Sequence, residues 1–288
     1  MDMAMTDPTP PGDSDARLLE RARGGDRPAL EELLGRHQRR VYRFGLSMCR
    51  DSEDARDVVQ DTLLAVARSI HDFRGASSVS TWLYTIARSF CIKKRRRSIH
   101  APASEVSMDG SEGLSAVKSV ADPGRTPDEI LAGRQVEEAL RASIGRLQPI
   151  YREALILRDV EGLTAPEVAE IVGITVDAVK SRLHRARATV RAELAPLLAL
   201  PDDVHASGCP DIVALFSAHL EGDIDSSVCI EMEHHLDGCP GCRARCDGLR
   251  AVLARCRASP LPDVPADIQA DLRRALSQLE PRPLGLPR

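Results

Sequence analysis

The sequence predicts an all-α protein built from three small helical domains. Aromatic residues make up only 3% of its 288 residues, and the common residues are Leu, Ala, Val, Glu and Arg, which suit helices. Apolar residues recur at spacings of three and four along most of the chain, which is the period of an amphipathic helix. The chain is also long enough to form two or three separate apolar cores.

The helical pattern breaks twice. It runs from about residue 15 to 97, resumes until residue 200, and resumes again around residue 211. The first break is rich in Ser, Gly and Pro and lacks apolar periodicity, so we predict a flexible linker there. The predicted segments are a disordered N-terminus, a helical domain, the linker, a second helical domain, a cysteine-rich domain and a Pro-rich tail, at residues 1–14, 15–98, 99–128, 129–200, 205–258 and 259–288. A short amphipathic helix in the tail, residues 266–279, could dock on another domain.

Charge and cysteine are unevenly distributed along the chain. Residues 88–97 contain six basic residues and no acid, whereas residues 205–247 hold eight acids and two arginines, a formal −6. Six of the eight cysteines follow Ser207, and such a cluster in a reducing compartment favours metal binding over disulfides. No apolar run reaches the roughly 18 residues of a membrane span, and the polar N-terminus has no signal-peptide core. We therefore expect a cytoplasmic protein without a membrane partner.

The first helical domain carries an acidic stripe. Asp54, Asp57 and Asp61 fall at spacings of three and four on one helical face, while the opposite face is largely apolar. Three carboxylates on one face repel one another, so they are either solvated or offset by a cationic partner.

A basic helix follows this stripe. Residues 73–80 have the composition of a loop, and the predicted helix beyond them carries aromatic residues next to Arg88 and the basic run 93–97. Aromatic rings beside positive charge suit unpaired DNA, because bases that leave the stack can stack on protein while Lys and Arg neutralise phosphates. Trp82 also has the helical spacing of a core residue, so packing is the simpler role for its ring.

Residues 163–191 predict a helix-turn-helix. Thr164 and Glu167 form a capping box at the start of the first helix, and Gly173 can adopt the left-handed conformation that a tight corner needs. The second helix, from about Thr175, is predicted to bury Val176, Val179 and Leu183 and to expose Lys180, Ser181, Arg182, His184, Arg185 and Arg187. The alternative is an ordinary helical hairpin whose arginines are only solvated.

These residues carry a family resemblance. The string from Gly162 to Gly173, with residues 179–187, closely resembles region 4 of extracytoplasmic-function (ECF) sigma factors, and residues 18–97 resemble region 2 of that family. The resemblance implies a subunit, not an enzyme, that directs RNA polymerase to promoters, with region 2 recognising the −10 element and region 4 the −35 element. The expected partners are promoter DNA and core polymerase, through its β′ clamp helices and β flap.

The resemblance also implies site residues. Contacts to the β′ clamp helices are expected from Asp54, Asp57, Gln60 and Asp61. The loop 73–80 would hold a flipped base of the −10 element, and DNA contacts in region 2 are expected from Arg74, Ser80, Trp82, Tyr84, Arg88, Lys93, Lys94, Arg95, Arg96 and Arg97. In region 4 the expected DNA contacts are Thr175, Lys180, Ser181, Arg182, His184, Arg185 and Arg187.

The C-terminal cysteines predict a metal site. His235, Cys239 and Cys242 have the His-x3-Cys-x2-Cys spacing of zinc ligands, and zinc takes four N or S ligands in a tetrahedron. Cys209, just before an amphipathic run, is the natural fourth ligand of a single zinc ion, with His219, Cys229 and Cys246 as alternatives. Such a site is closed, whereas a catalytic zinc needs an open position, so no catalytic residue is predicted.

The cysteine-rich segment resembles the zinc-finger domain of zinc-binding anti-sigma factors. That resemblance rests on Cys209, the string from Leu220 to Ile224, and residues 235–242. It implies intramolecular inhibition, because in relatives this domain masks the polymerase-binding surfaces of the sigma factor. Two other readings remain open, a purely structural zinc and a metal or redox sensor that uses the surplus thiols. A helix-turn-helix regulator that is not a sigma subunit is the alternative for the whole chain.

Overall fold

The computed structural model describes residues 14–49, 51–73, 75–100, 126–198 and 208–278, with side chains left out at 97–100 and 127–130. Every regular element in these ranges is helical, which confirms the all-α prediction. The helices are α1 (Asp15–Arg23), α2 (Arg27–Met48), α3 (Ser52–Ser69), α4 (Val79–His100), α5 (Pro127–Arg146), α6 (Pro149–Leu155), α7 (Ala165–Val172), α8 (Val176–Leu194), α9 (Ile212–Leu220), α10 (Ser226–Gly238), α11 (Pro240–Arg257) and α12 (Ala266–Gln278). Within the described ranges, no helix is both long and apolar enough to cross a membrane.

The chain divides into two compact units. The first comprises residues 1–45, 51–107 and 262–288, and the second comprises residues 46–50 and 108–261. The C-terminal tail is therefore split between them, because α12 belongs to the first unit and α9 to α11 belong to the second.

In the first unit, α3 packs along α4. The core between the helices includes Leu63 and Leu83, and the rings of Phe44 and Tyr84 meet edge to face with 5.4 Å between centroids. Helix α4 begins at Val79, earlier than the predicted loop end at Ser80, because the Ser78 hydroxyl accepts a hydrogen bond from the Thr81 amide and caps the first turn. Ser80 thus lies inside the helix.

Helix α12 packs against α3 in the same unit. Its apolar face, Ile268, Leu272 and Leu276, is buried. Asp267 at its start pairs with Arg56 of α3 at 3.5 Å. Just before the helix, the Pro262 carbonyl accepts a hydrogen bond from Arg39 of α2. The predicted amphipathic helix therefore forms as far as Gln278 and docks on a helix of another predicted domain. Its last predicted residue, Leu279, lies outside the described residues.

In the second unit, the helix-turn-helix forms as predicted. The Thr164 side chain accepts from the Glu167 amide, and the Glu167 carboxylate accepts from the Thr164 amide, which completes the capping box of α7. Gly173 ends α7 with a φ of +74°, a conformation that disfavours any residue with a Cβ. Thr175 then caps α8, and Val179 and Leu183 are buried while Val176 is only half-buried.

Helices α9 to α11 share cores with α5, α6 and α8. One cluster joins Val252 and Cys256 of α11 to Leu155, Val190 and Leu194. A second cluster surrounds the buried Phe216 and reaches Ala188 of α8. The cysteine-rich segment is therefore part of the hydrophobic packing of the helix-turn-helix unit.

Candidate functional site

Helix α8 has one flank that is exposed and another that is partly or fully buried. Thr175, Ser181 and Arg185 are exposed, and Lys180, Arg182 and His184 are half-buried. Thr175 also has a structural role, because its side chain accepts from the Ala178 amide. Arg187 was expected on the exposed face, but that expectation is wrong, because its side chain is only 1% exposed.

Arg187 is buried because two carboxylates surround it. Its guanidinium makes a two-pronged contact with Asp159, at 2.9 and 2.7 Å. It also donates to Glu221 of the α9 terminus at 2.7 Å and to the Ser217 hydroxyl at 2.9 Å. Burial disfavours the charged form, but the hydrogen bonds to Asp159 and Glu221 outweigh it and raise the pKa of Arg187. The arginine is therefore a fixed charge inside an ion-pair network.

The network extends to two more basic residues. Arg158 donates to Glu221 at 2.9 Å, and Lys180, in the first turns of α8, pairs with Asp223. Glu221 and Asp223 flank Gly222, whose φ of +70° forms the turn after α9. We call Glu221, Gly222 and Asp223 the acidic turn. It meets the same flank of α8 that carries Lys180 and Arg187.

Sequence reasoning did not find this network. Asp159 lies 28 residues before Arg187 and Glu221 lies 34 residues after it, so no helical spacing connects them. The sequence offers one local signal, because Asp159 and Arg158 directly follow the apolar run 154–157. In the structure Asp159 is fully buried in the π-helical turn Ile156–Val160.

The acidic stripe on α3 has a cationic partner in its own unit. Lys94 of α4 pairs with Asp57 and lies 3.4 Å from Asp54. The hydrogen bond to Asp57 raises the pKa of Lys94, so the lysine stays charged. Asp61 is exposed and Gln60 is half-buried. A predicted DNA-binding lysine is therefore paired here with two predicted polymerase-binding acids.

A cavity of about 250 Å³ opens at the start of α4. The Trp82 ring stacks on the ring of Phe73 at 4.7 Å between centroids, and both rings line the cavity with Ser69, Asp72, Ala76 and Ser77. Tyr84 was expected to contact DNA, but its ring is buried in the core against Phe44, which contradicts an accessible surface role.

The basic residues of α4 lie further along the helix. The Lys93 ammonium lies 5.0 Å from the centre of the Phe90 ring, which is a cation–π contact. Arg95 and Arg88 are half-buried, and Arg96 is exposed. Arg74 and the side chain of Arg97 lie outside the described residues.

The four predicted metal ligands come together in the second unit. Cys209 precedes α9, His235 lies near the end of α10, and Cys239 and Cys242 begin α11. Their ligand atoms all lie within 4.8 Å of one another. His219 and Cys229 instead contact each other, and Cys246 is buried on the next turn of α11.

The geometry of this cluster fits a tetrahedral ion. The Cys209 and Cys239 sulfurs are 3.8 Å apart, and two metal–sulfur bonds of about 2.3 Å at the tetrahedral angle give about the same separation. His235 Nε2 is buried and has no hydrogen-bond partner among the described residues, as expected of a metal-ligating nitrogen. Burial raises the pKa of Cys242 to about 12, and hydrogen bonds, first that from the Cys242 amide, lower the pKa of Cys239. The residues present therefore form a cluster whose geometry fits a bound metal ion.

A cationic helix-turn-helix joined to a second helical unit with a basic helix is characteristic of DNA-binding transcription proteins. Comparison with known proteins identifies the family. The sigma-70 region 2 family matches residues 33–99, the sigma-70 region 4 family matches residues 137–190, and the family described as "Putative zinc-finger" matches residues 209–243.

Curated relatives agree with these matches. RNA polymerase sigma-H factor of Pseudomonas aeruginosa is 30% identical over 193 residues, which is 65% of this chain and 96% of the relative. ECF RNA polymerase sigma-E factor of Haemophilus influenzae is 31% identical over 189 residues, 64% of this chain and 97% of the relative. Among solved structures, CnrH in complex with the cytosolic domain of CnrY is 25% identical, with a TM-score of 0.46 over 64% of this chain and 99% of that chain. This chain belongs to the ECF family of RNA polymerase sigma factors.

Proposed function

We propose that this protein is a sigma subunit that carries its own inhibitor, and that the inhibitor is the C-terminal segment α9 to α12. The sigma part binds core polymerase and promoter DNA to start transcription, as family membership implies. The observation that carries the inhibition is that the tail contacts both functional helices, α8 through the acidic turn and α3 through α12.

The contact with α8 supports masking of region 4. Glu221 and Asp223 place two carboxylates on Lys180 and Arg187, in the way that DNA phosphates attract basic side chains. Ser181 and Arg185 stay exposed on the other flank, and with Thr175, Arg182 and His184 they remain the candidates for base contacts at the −35 element. Arg187 is not among these candidates, because Asp159, outside the tail, also holds its buried guanidinium.

The contact with α3 supports masking of region 2. Arg56, which pairs with Asp267, precedes Asp57 and lies one helical turn before Gln60. These residues belong to the face that we propose grips the β′ clamp helices, together with Asp54 and Asp61. A bound α12 therefore occupies space next to that face and competes with the polymerase.

The cavity beside Trp82 is the proposed place for a flipped −10 base. Its volume and its two stacked rings suit an unstacked base. Ser80, at the first turn of α4, lies nearby in sequence, and Arg74 completes the loop. The phosphates of the neighbouring duplex would then meet Arg88, Lys93, Lys94, Arg95, Arg96 and Arg97.

Zinc is the ion that we propose for the cluster of Cys209, His235, Cys239 and Cys242, because the ligand types and tetrahedral spacing suit it. Bound there, the ion would cross-link the segment before α9, the end of α10 and the start of α11. These helices carry the acidic turn, so metal binding would stabilise the inhibitory form. Intramolecular docking benefits from the high effective concentration of a tethered partner.

Run-off transcription with purified core polymerase tests this proposal. We would compare the full chain with a chain ending at Leu200, and with the full-length variant Glu221→Gln. Asp247→Asn, which removes the same charge at an exposed position of α11, is the matched control. The proposal expects strong transcription from the shortened chain, intermediate transcription from Glu221→Gln, and low transcription from the control and the unaltered chain.

Equal transcription by all four proteins would leave the zinc module a structural role. No transcription by any of them, in the presence of active polymerase and a cognate promoter, would favour a helix-turn-helix regulator that is not a sigma subunit.

A further inference from the structure

Outside the metal cluster, one cysteine combines solvent access with a nearby base. Cys229, in the first turns of α10, is half-buried, whereas Cys91, Cys246 and Cys256 are fully buried. Its sulfur lies 3.4 Å from Nδ1 of His219, which is exposed in the last turn of α9. We propose that Cys229 and His219 form a thiol–disulfide exchange site for low-molecular-weight disulfides.

The imidazole of His219 packs beside an aromatic ring on the same helix. The His219 ring lies nearly parallel to the buried Phe216 ring, with 6.1 Å between centroids and 22° between planes. The Arg250 guanidinium lies 4.8 Å from the centre of the same Phe216 ring. Phe216 is anchored in the core, so its ring gives His219 a fixed packing surface, and Nδ1 faces the thiol in the structure.

The acids near Cys229 and His219 are engaged in contacts of their own. The turn between the two residues carries Glu221, Asp223 and Asp225, which would oppose a second negative charge. Glu221 and Asp223 are already neutralised by Arg158, Arg187 and Lys180, and Asp225 is engaged in capping the first amides of α10.

The exchange reaction needs no reagent other than the disulfide. His219, with its own proton on Nε2, accepts the thiol proton at Nδ1, and the Cys229 thiolate attacks one sulfur of the disulfide. A new sulfur–sulfur bond forms at Cys229 while that of the reagent breaks. The departing thiolate takes the proton from the imidazolium, and Cys229 is left as a mixed disulfide.

The position of this site links it to the inhibitory tail. Cys229 and His219 bridge the two helices on either side of the acidic turn, so an adduct at Cys229 breaks their contact and loosens the turn. This consequence rests on the proposed inhibition, whereas the exchange site itself does not. Thiol oxidation would thereby weaken the tail without removing any ligand from the metal cluster.

The test uses the zinc-loaded full chain and glutathione disulfide, followed by peptide mass spectrometry. Adduct formation at Cys229 should be faster than at Cys49, the other half-buried thiol outside the metal cluster. Because the rate follows the thiolate fraction, we expect His219→Asn and His219→Gln to slow it about tenfold or more. The control Cys49→Ser should leave the rate at Cys229 unchanged. Retained zinc content and helical signal show that each variant is folded.

Two results would overturn the proposal. One is an unchanged rate at Cys229 in both folded His219 variants, and the other is faster modification of Cys49. Run-off transcription then tests the link to inhibition, with the chain ending at Leu200 as a reference. If that reference is active but the adduct leaves the full chain silent, the link is wrong. If the reference is no more active than the full chain, the proposed inhibition itself has failed.

Discussion

Replacing Glu221 by Gln removes one charge from the centre of the ion-pair network and keeps the size of the side chain. The Glu221 side chain is only 2% exposed and accepts from both Arg187 and Arg158. Removing one partner of a buried pair typically costs about 3–5 kcal/mol, because the other charge is left uncompensated. Two features reduce this figure here, since Asp159 still pairs with Arg187 and Arg158 is partly exposed to water.

We therefore expect Glu221→Gln to weaken docking of the tail on α8 by about 2–3 kcal/mol. At about 1.4 kcal/mol per tenfold, that corresponds to a change of roughly 30- to 150-fold in the ratio of docked to undocked tail. Hydrogen exchange of the α8 amides, measured on the zinc-loaded full chain, reports this ratio. The control Asp247→Asn changes an exposed pair with Arg250 and should shift exchange by less than about 1 kcal/mol.

Equal exchange rates in Glu221→Gln and the control would refute the reasoning, because they would mean that the network contributes nothing to docking. A uniform loss of protection across α5 to α8 would also contradict it, since that pattern indicates unfolding of the whole unit.

Three further predictions concern other contacts. Leu272→Ala truncates the buried face of α12 and should weaken its docking on α3 by about 2–3 kcal/mol, measured as faster exchange of α3 amides, whereas Ala270→Ser on the exposed face should change nothing. Asp15→Asn should lower the free energy of unfolding by less than about 1 kcal/mol at pH 7, because Asp15 is part-exposed. The hydrogen bond with His37 holds the pKa of Asp15 below its ordinary 3.8. This stabilisation is therefore present above pH 3.8 and is lost as the pH falls through the lowered pKa. The unfolding free energies of the unaltered chain and Asp15→Asn, measured by urea titration, should converge in acid. Removing the metal with a chelator should increase transcription and tryptic cleavage within α9 to α11 together, and increased cleavage without increased transcription would disconnect the metal from inhibition.

Local features of the fold were predictable from the sequence, because they depend on neighbouring residues. The capping box of Thr164 and Glu167, the turn at Gly173 and the His235–Cys242 ligand spacing each lie within about a dozen residues, and the structure contains all of them. The amphipathic pattern of α12 also predicted a helix with one apolar face.

Features that depend on distant partners were not predictable in the same way. The helical period placed Arg187 on the solvent side, since periodicity cannot detect an acid that arrives from another helix. The same limit applies to Tyr84. The family resemblance and its position on a helix with basic residues predicted a DNA contact, but its ring packs in the core against Phe44. The pairing of Lys94 with Asp57 likewise joins residues of two helices that are 37 positions apart in the sequence.

The most direct test of the central claim is the equilibrium affinity of core RNA polymerase for the zinc-loaded full chain and for the same chain ending at Leu200. If the tail masks the sigma surfaces, the shortened chain should bind at least about 30-fold more tightly, which corresponds to about 2 kcal/mol. Equal affinities, with both proteins shown to be folded, would contradict the account.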